Sequence, residues 1–185
     1  MARYVALLRG INVGGKNPIP MAGLKTCFED NGFDNVRTYI QSGNVVFSSP
    51  ASNQTELTRR IERMLRKTFG HYEARVALRS RAQMRSIVER APDGFGSEPT
   101  LYREDVIFLM PPLTARTVVQ SVPIKEEVDQ IWAGTGVVYF SRLTSRAAQS
   151  RLSRVVSMPI YQQMTIRNWN TTTKLRALMD AKDLA

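Results

Sequence analysis

The sequence predicts an α+β fold made of two tandem ferredoxin-like halves, each with the element order βαββαβα and an antiparallel sheet. Three observations lead to this fold class. Short apolar runs and stretches of helical spacing alternate in the same order twice along the 185 residues. A hydrophobic fraction of 43% is enough to fill a packed core. Between the two series, Ala91 to Thr100 carries two Pro and two Gly. The expected division is therefore 1–91 for the first half, 92–100 for a linker and 101–185 for the second half. Identical residues are few between the halves, so the repeat is one of architecture.

The elements of the first half follow in order. Tyr4 to Leu8 is a buried strand, because a short apolar run ends at Arg9-Gly10. A loop rich in Gly and Pro follows. Met21, Leu24 and Phe28 share one helical face, and Asn31-Gly32 is suited to end that helix. Val36 to Gln41 is the second strand, Ser42-Gly43 signals a tight turn, and Asn44 to Phe47 begins the returning strand. Asn53 with Glu56 resembles a capping pair for a helix that buries Leu57, Ile61, Met64, Leu65 and Phe69. Arg59, Arg60, Arg63, Arg66 and Lys67 fall mainly on its other side. Tyr72 to Leu78 is the fourth strand, followed by a short helix with Ser80 and Gln83 at its start.

The second half repeats the order. Asp105 to Met110 is a strand, and Pro111-Pro112 opens a helix around Leu113 to Val122. Glu127 to Ala133 and Val137 to Arg142 form a hairpin around Gly134-Thr135-Gly136. A helix through Ala148, Leu152, Val155 and Val156 leads to a last strand, Met164 to Trp169. Asn170 is the expected cap of a closing helix through Leu175, Leu178 and Met179. In this topology a right-handed crossover makes the first two strands of a half parallel, with the third inserted antiparallel between them. The loop after the first strand, the first hairpin turn and the Gly70-His71 turn then meet at one end of the sheet.

Lys plus Arg total 26 against 16 Asp plus Glu, a net charge of +10 that favours polyanionic partners such as nucleic acid or phosphorylated ligands. The cations are mostly Arg and spread along the chain, without a dense basic tail or an RNA-reading aromatic signature. The plainer reading is a solvated basic surface. No apolar run reaches the roughly 20 residues of a membrane span, so no membrane partner is expected. The N-terminal residues run straight into a strand without the pattern of a signal peptide, and the single Cys27 has no disulfide partner. The expectation is a cytoplasmic protein.

Gly10 to Asn17 fits the spacing GxxxxGK, with Asn17 where a phosphate loop needs Ser or Thr for magnesium. Pro18 and Pro20 then intervene before the helix, so a standard nucleotide hydrolase is excluded. The remaining expectation is anion binding by the amides of Gly14 and Gly15, helped by Arg9 and Lys16. The alternative is a loop whose glycines only permit positive φ. Gln41, Ser42 and Asn44 sit at the hairpin turn, where they and Asn12 offer donors and acceptors beside that loop. In Arg167-Asn168-Trp169-Asn170-Thr171, Arg167 is suited to fork a phosphate or carboxylate, with Asn168 beside it and Trp169 as a stacking face. The plainer reading there is a strand end, an edge Trp and a helix cap.

The segments Arg9 to Asn17, Thr38 to Phe47 and Thr165 to Thr171, in this order, resemble the bacterial family known as domain of unknown function 1697. The resemblance covers nearly the whole chain. It implies a tandem pair of ferredoxin-like plaits, and it implies no reaction and no catalytic residue.

The remaining chemistry-bearing residues point away from catalysis. The lone His71 and Cys27 lack the spacing of a zinc site, and Cys27 lies near an apolar stripe as a small buried residue. Glu104-Asp105 and Glu126-Glu127 are strand neighbours that face opposite sides, a poor basis for a catalytic pair. No metal or cofactor is expected. The leading reading is a non-catalytic binding protein for an anionic ligand, either nucleic acid or a phosphorylated small molecule. The alternatives are a small-molecule enzyme using Arg9, Lys16, Gln41 and Arg167, and an interaction scaffold presenting a sheet face or edge.

Overall fold

A computed structural model describes residues 1–15 and 17–181; Lys16 and residues 182–185 lie outside the described residues. Eight strands form two four-stranded antiparallel sheets, each followed through the chain in the split βαβ order the sequence predicts. The chain divides into two compact units, Met1–Arg85 with the chain from Leu175 on, and Ser86–Lys174.

In the first unit β1 (Ala2–Leu8), β2 (Asp34–Tyr39), β3 (Asn44–Ser49) and β4 (Val76–Ser80) lie in the order β2-β3-β1-β4. β3 is antiparallel to both β1 and β2, so β1 and β2 are parallel. Helix α1 (Met21–Asp30) crosses over from β1 to β2, and α2 (Gln54–Thr68) from β3 to β4. Leu24, Cys27 and Phe28 of α1 and Leu57, Ile61, Met64 and Leu65 of α2 are buried, at the helical spacing read from the sequence. They pack with Tyr4, Ala6, Leu8, Val45, Phe47 and Leu78 from one face of the sheet. Phe28, Phe33 and Phe47 form its aromatic centre, with ring centroids 4.8 to 5.4 Å apart.

The helix ends follow from local chemistry. Asn53 Oδ1 accepts the amides of Thr55 and Glu56 at 3.1 and 3.2 Å, capping α2. At α3 (Arg81–Glu89), Ser80 Oγ accepts the Gln83 amide at 3.3 Å while Gln83 Oε1 accepts the Ser80 amide at 2.8 Å, a reciprocal capping box. Gly32, at φ +76°, turns the chain out of α1.

The second unit repeats the plan with β5 (Tyr102–Leu109), β6 (Asp129–Ala133), β7 (Val137–Leu143) and β8 (Met164–Asn168) in the order β6-β7-β5-β8. α4 (Ala115–Ser121) makes its first crossover, capped by Thr114. The two sheets correspond residue by residue. Tyr4 pairs with Phe47 and Ser80, and Asp105 pairs with Phe140 and Asn168. The Leu8 amide donates to Gly43 O, and the Leu109 amide to Gly136 O, at the same place in each half.

Several elements differ from expectation. The helix expected through Ala148 to Val156 is instead a series of three 3₁₀ helices, Thr144–Gln149, Leu152–Ser157 and Pro159–Gln163. Ser150 Oγ and Asp129 Oδ2 take the amides of Leu152 and Arg151, and Pro159 has no amide to give, so a continuous α-helical ladder has no donors there. Leu152 and Val155, three residues apart, are buried while Val156 is 58% exposed, as a period of three requires. Asn168, not Asn170, caps the closing helix α5 (Trp169–Asp180): its Oδ1 accepts the Thr171 amide at 2.7 Å. Pairing with Asp105 holds Asn168 in the strand, so the helix starts at Trp169. The first hairpin turn is a four-residue loop from Ile40 to Gly43, closed by the Tyr39–Asn44 pair, with positive φ at both ends. β4 begins at Val76, because Tyr72 turns inward to bond Arg9 O.

α5 passes from the second unit into the first between Lys174 and Leu175. Its end is tied within the first unit by Arg81, Arg85 and Arg176, which reach Asp180 at 2.7, 3.0 and 2.9 Å. These three guanidinium groups hold the Asp180 carboxyl below its ordinary range.

Candidate functional site

The loop after β1 and the first hairpin turn meet at one rim of the first unit. Asn12 joins them. Its Nδ2 donates to Ile19 O and to Gln41 O, both at 2.9 Å, and its Oδ1 accepts the Ile19 amide at 2.8 Å. At φ +52° its backbone takes a left-handed turn that Asn tolerates better than most residues. Asn17 Nδ2 closes the loop on Gly10 O at 2.9 Å. The approach to β4 reaches the same rim: the Arg9 amide donates to Arg75 O at 3.0 Å, and Tyr72 Oη to Arg9 O at 2.8 Å.

Gly43 is where this rim is tightest. Its φ is +75°, and a Cβ there would lie 2.5 Å from Ile11 Cδ1 and 3.0 Å from Leu8 Cβ. Gly14 and Gly15 differ. Both have positive φ, yet nothing lies within 4 Å of where their Cβ atoms would be, so their backbone faces open space.

The residues singled out in the sequence therefore divide by role. Asn12 and the buried Asn44, whose Nδ2 reaches Tyr39 O at 2.9 Å and Ser42 Oγ at 3.0 Å, turn their amides inward and hold the rim. Gly14, Gly15 and Gln41 are exposed on it, with Arg9 and Ser42 half-buried beside them. Lys16 lies outside the described residues. Arg167 and Asn168 belong to the second unit. Arg167 is 7% exposed and its Nη1 donates to Thr165 Oγ1 and Ile166 O, both at 2.8 Å. Its counterpart by register is Arg79, 8% exposed, whose Nη1 donates to Leu78 O at 2.8 Å. Burial pulls the Arg79 guanidinium down to about 10. Cys27 is buried, and burial pushes its thiol up, away from the reactive thiolate.

The cations are uneven between the units. Residues 1–85 hold fourteen Lys and Arg and six Asp and Glu, a net +8, while residues 86–174 hold ten and eight, a net +2. On α2, Arg60 lies 4.6 Å over the Phe33 ring and bonds Asn31 O, and Arg66 reaches Ala74 O at 3.4 Å. Arg59, Arg63 and Lys67 remain exposed at four-residue intervals, an axial spacing of about 6 Å on one face. α2 runs back toward the rim, so this stripe ends beside it.

The second unit contains a cleft of about 310 Å³ at the start of β5, bordered by Arg103, Asp105, Arg142 and Trp169. Arg142 Nη1 pairs with Asp105 Oδ2 at 3.2 Å. Glu104 accepts the Gly96 amide at 2.5 Å. Burial raises both carboxyls above their ordinary values, against the pull of Arg142 on Asp105 and of the Gly96 amide on Glu104. Reading Glu104-Asp105 only as strand neighbours missed this group. The signal that reveals it is the comparison of Arg103-Glu104-Asp105 with Ala2-Arg3-Tyr4, the same strand in the other half.

Among the described residues no three His, Cys, Asp or Glu are grouped to hold a metal ion, and no helix is long and apolar enough to cross a membrane. A tandem pair of ferredoxin-like plaits with a Gly-rich polar rim is the class of protein these features define. The chain belongs to the family described as "Protein of unknown function (DUF1697)", whose model matches residues 1–139. Among solved structures it is similar to the conserved bacterial protein SP0830 from Streptococcus pneumoniae, at 26% identity and a TM-score of 0.82, covering 97% of this chain and 99% of that one. No curated protein matches the chain.

Proposed function

We propose that the chain is a binding protein for an anionic ligand, engaged through its first half, and that nucleic acid is the ligand its charge layout fits best. The observation that carries this reading is the concentration of charge, net +8 in residues 1–85, with Arg59, Arg63 and Lys67 in an exposed row on α2. A row of cations with no ion pair to any described residue suits a run of phosphates, which a protein holds by displacing their counterions. The rim adds Arg9 and the exposed Gly14 and Gly15, whose guanidinium and backbone amides are donor types suited to a phosphate oxygen. The same exposed glycines favour one further reading, a phosphorylated small molecule held at the rim alone.

Anisotropy titrations of short labelled RNA and DNA at increasing salt, beside thermal shifts with a panel of phosphorylated metabolites, test both readings. Saturable oligonucleotide binding that weakens with salt supports the first. Binding of metabolites only, lost on Arg9→Gln, supports the second. No saturable binding to either at low salt removes both.

A further inference from the structure

The two halves act as controls for one another, and they differ most where the second unit has its cleft. By register, Ala2, Arg3 and Tyr4 of β1 correspond to Arg103, Glu104 and Asp105 of β5, and Ser49 of β3 corresponds to Arg142 of β7. In the first half this end of the sheet is closed by packing: Tyr4 is 4% exposed, stacks on Phe47 at 5.9 Å and donates its hydroxyl to Ala51 O at 2.7 Å. On the face that Tyr4 covers the fold thus closes without charge, while on the other face Arg3 donates to Met179 O and Ala181 O. In the second half the aromatic plug is replaced by a carboxylate, and an ion pair stands in its wake beside an open cleft. A half-buried ion pair, Asp105 with Arg142, where the first half has Tyr4 and Ser49, is not needed to close the architecture, and charge placed beside an open cleft points to a ligand.

The aromatic wall is fixed in place. Gly96, at φ +84°, lies so close to Trp169 that a Cβ there would fall 1.9 Å from the indole Nε1. Phe95 meets the Trp169 ring edge-to-face at 5.0 Å, and in turn packs on Tyr139 at 5.4 Å. Tyr139 Oη is anchored on Ile87 O at 2.6 Å. A rigid indole bordering a cleft is a ready surface for a planar ring.

The charges decide the rest of the ligand. Asp105 is engaged by Arg142, and Glu104 by the Gly96 amide and Ser141, so neither carboxylate is spare for an ammonium group. Arg103 is exposed at the cleft, opposite Arg142 in the strand pair and within the field of Asp105, and no ion pair with another described residue engages it, which leaves the spare charge positive. Asp105 Oδ atoms and the exposed Asn170 amide add acceptors and a donor for the edge of a ring. We infer that this cleft is a second site, independent of the first-half surface, that takes a mononucleotide: the base against Trp169, its polar edge toward Asp105 and Asn170, and the phosphate toward Arg103.

The test uses the full chain with Trp132→Phe, so that Trp169 is the only indole, and follows its fluorescence with nucleoside monophosphates, nucleosides, inorganic phosphate and free amino acids. The inference predicts saturable quenching by nucleoside monophosphates. Arg103→Gln, an exposed change that leaves melting unaltered, weakens them at least tenfold and brings them level with the nucleosides. Asp105→Asn changes the order of preference among the bases. Quenching by inorganic phosphate or amino acids at the same concentrations as by nucleotides overturns the inference, and so does no saturation at millimolar nucleotide. Loss of oligonucleotide binding in α2 variants leaves this readout untouched, so the two sites stand or fall separately.

Discussion

Asn12 and Gly43 carry the rim, one by hydrogen bonds and the other by lacking a side chain. Replacing Asn12 with Ala removes three bonds, two to Ile19 within the Gly-rich loop and one to Gln41 O that joins it to the hairpin turn. The expected loss is about 2 kcal/mol, with faster hydrogen exchange at the Ile19 amide, whereas the exposed Gln41→Ala stays within about 0.5 kcal/mol. Gly43→Ala adds a Cβ into Ile11 at positive φ and is expected to lower stability by about 1–3 kcal/mol in urea titrations. A neutral result would mean that Ile11 moves aside freely. The raised carboxyls of Glu104 and Asp105 give a pH dependence of definite sign. Between the ordinary values of 4.5 and 3.8 and the raised ones these two groups hold more protons in the native state than in the unfolded chain, so their contribution to stability is greatest below this range and falls as pH rises through the raised values, opposite in sign to that of the lowered Asp180. Asp105→Asn is expected to flatten that slope, and an unchanged slope would assign it elsewhere.

At the scale of elements, most of the chain was readable because one pattern decides each element. The caps at Asn53 and at Ser80 with Gln83 stand beside clean apolar stripes, and both form. Ambiguity arose where two residues offer the same chemistry. Asn168 and Asn170 are both good caps, and only the pairing of Asn168 with Asp105 chooses between them, a long-range fact. Asn168→Ala should therefore cost about 1 kcal/mol in thermal or urea unfolding, and Asn170→Ala almost nothing; the reverse order would move the helix start. The sequence predicts one helix through Ala148 to Val156, where two 3₁₀ helices form, because Leu152 and Val155 suit either a 3.6 or a 3.0 period. The Asp129 carboxylate that takes the Arg151 amide comes from a distant strand and leaves no local trace. The meeting of the Gly-rich loop with the hairpin turn was legible from chain direction alone. The cleft of the second unit was not, since Arg103, Arg142 and Trp169 are far apart in sequence.

Across the whole molecule, one architecture is used twice with different chemistry. The first half closes its sheet end with Tyr4 and carries most of the net charge, +8 in residues 1–85; the second is close to neutral and opens a mixed-charge cleft at the corresponding place. Duplicated plaits allow this because the sheet and its crossovers supply stability, and positions outside that core are free to diverge. The central claim, binding of a polyanion along the α2 row, is tested most directly by the salt dependence of affinity for a single-stranded oligonucleotide. Each phosphate contact contributes about −0.7 to the slope of log K against log salt. The protein with Arg59, Arg63 and Lys67 all changed to Gln should therefore show a slope shallower by about 2 than the parent. Equal slopes and equal affinities for the two proteins would contradict the claim.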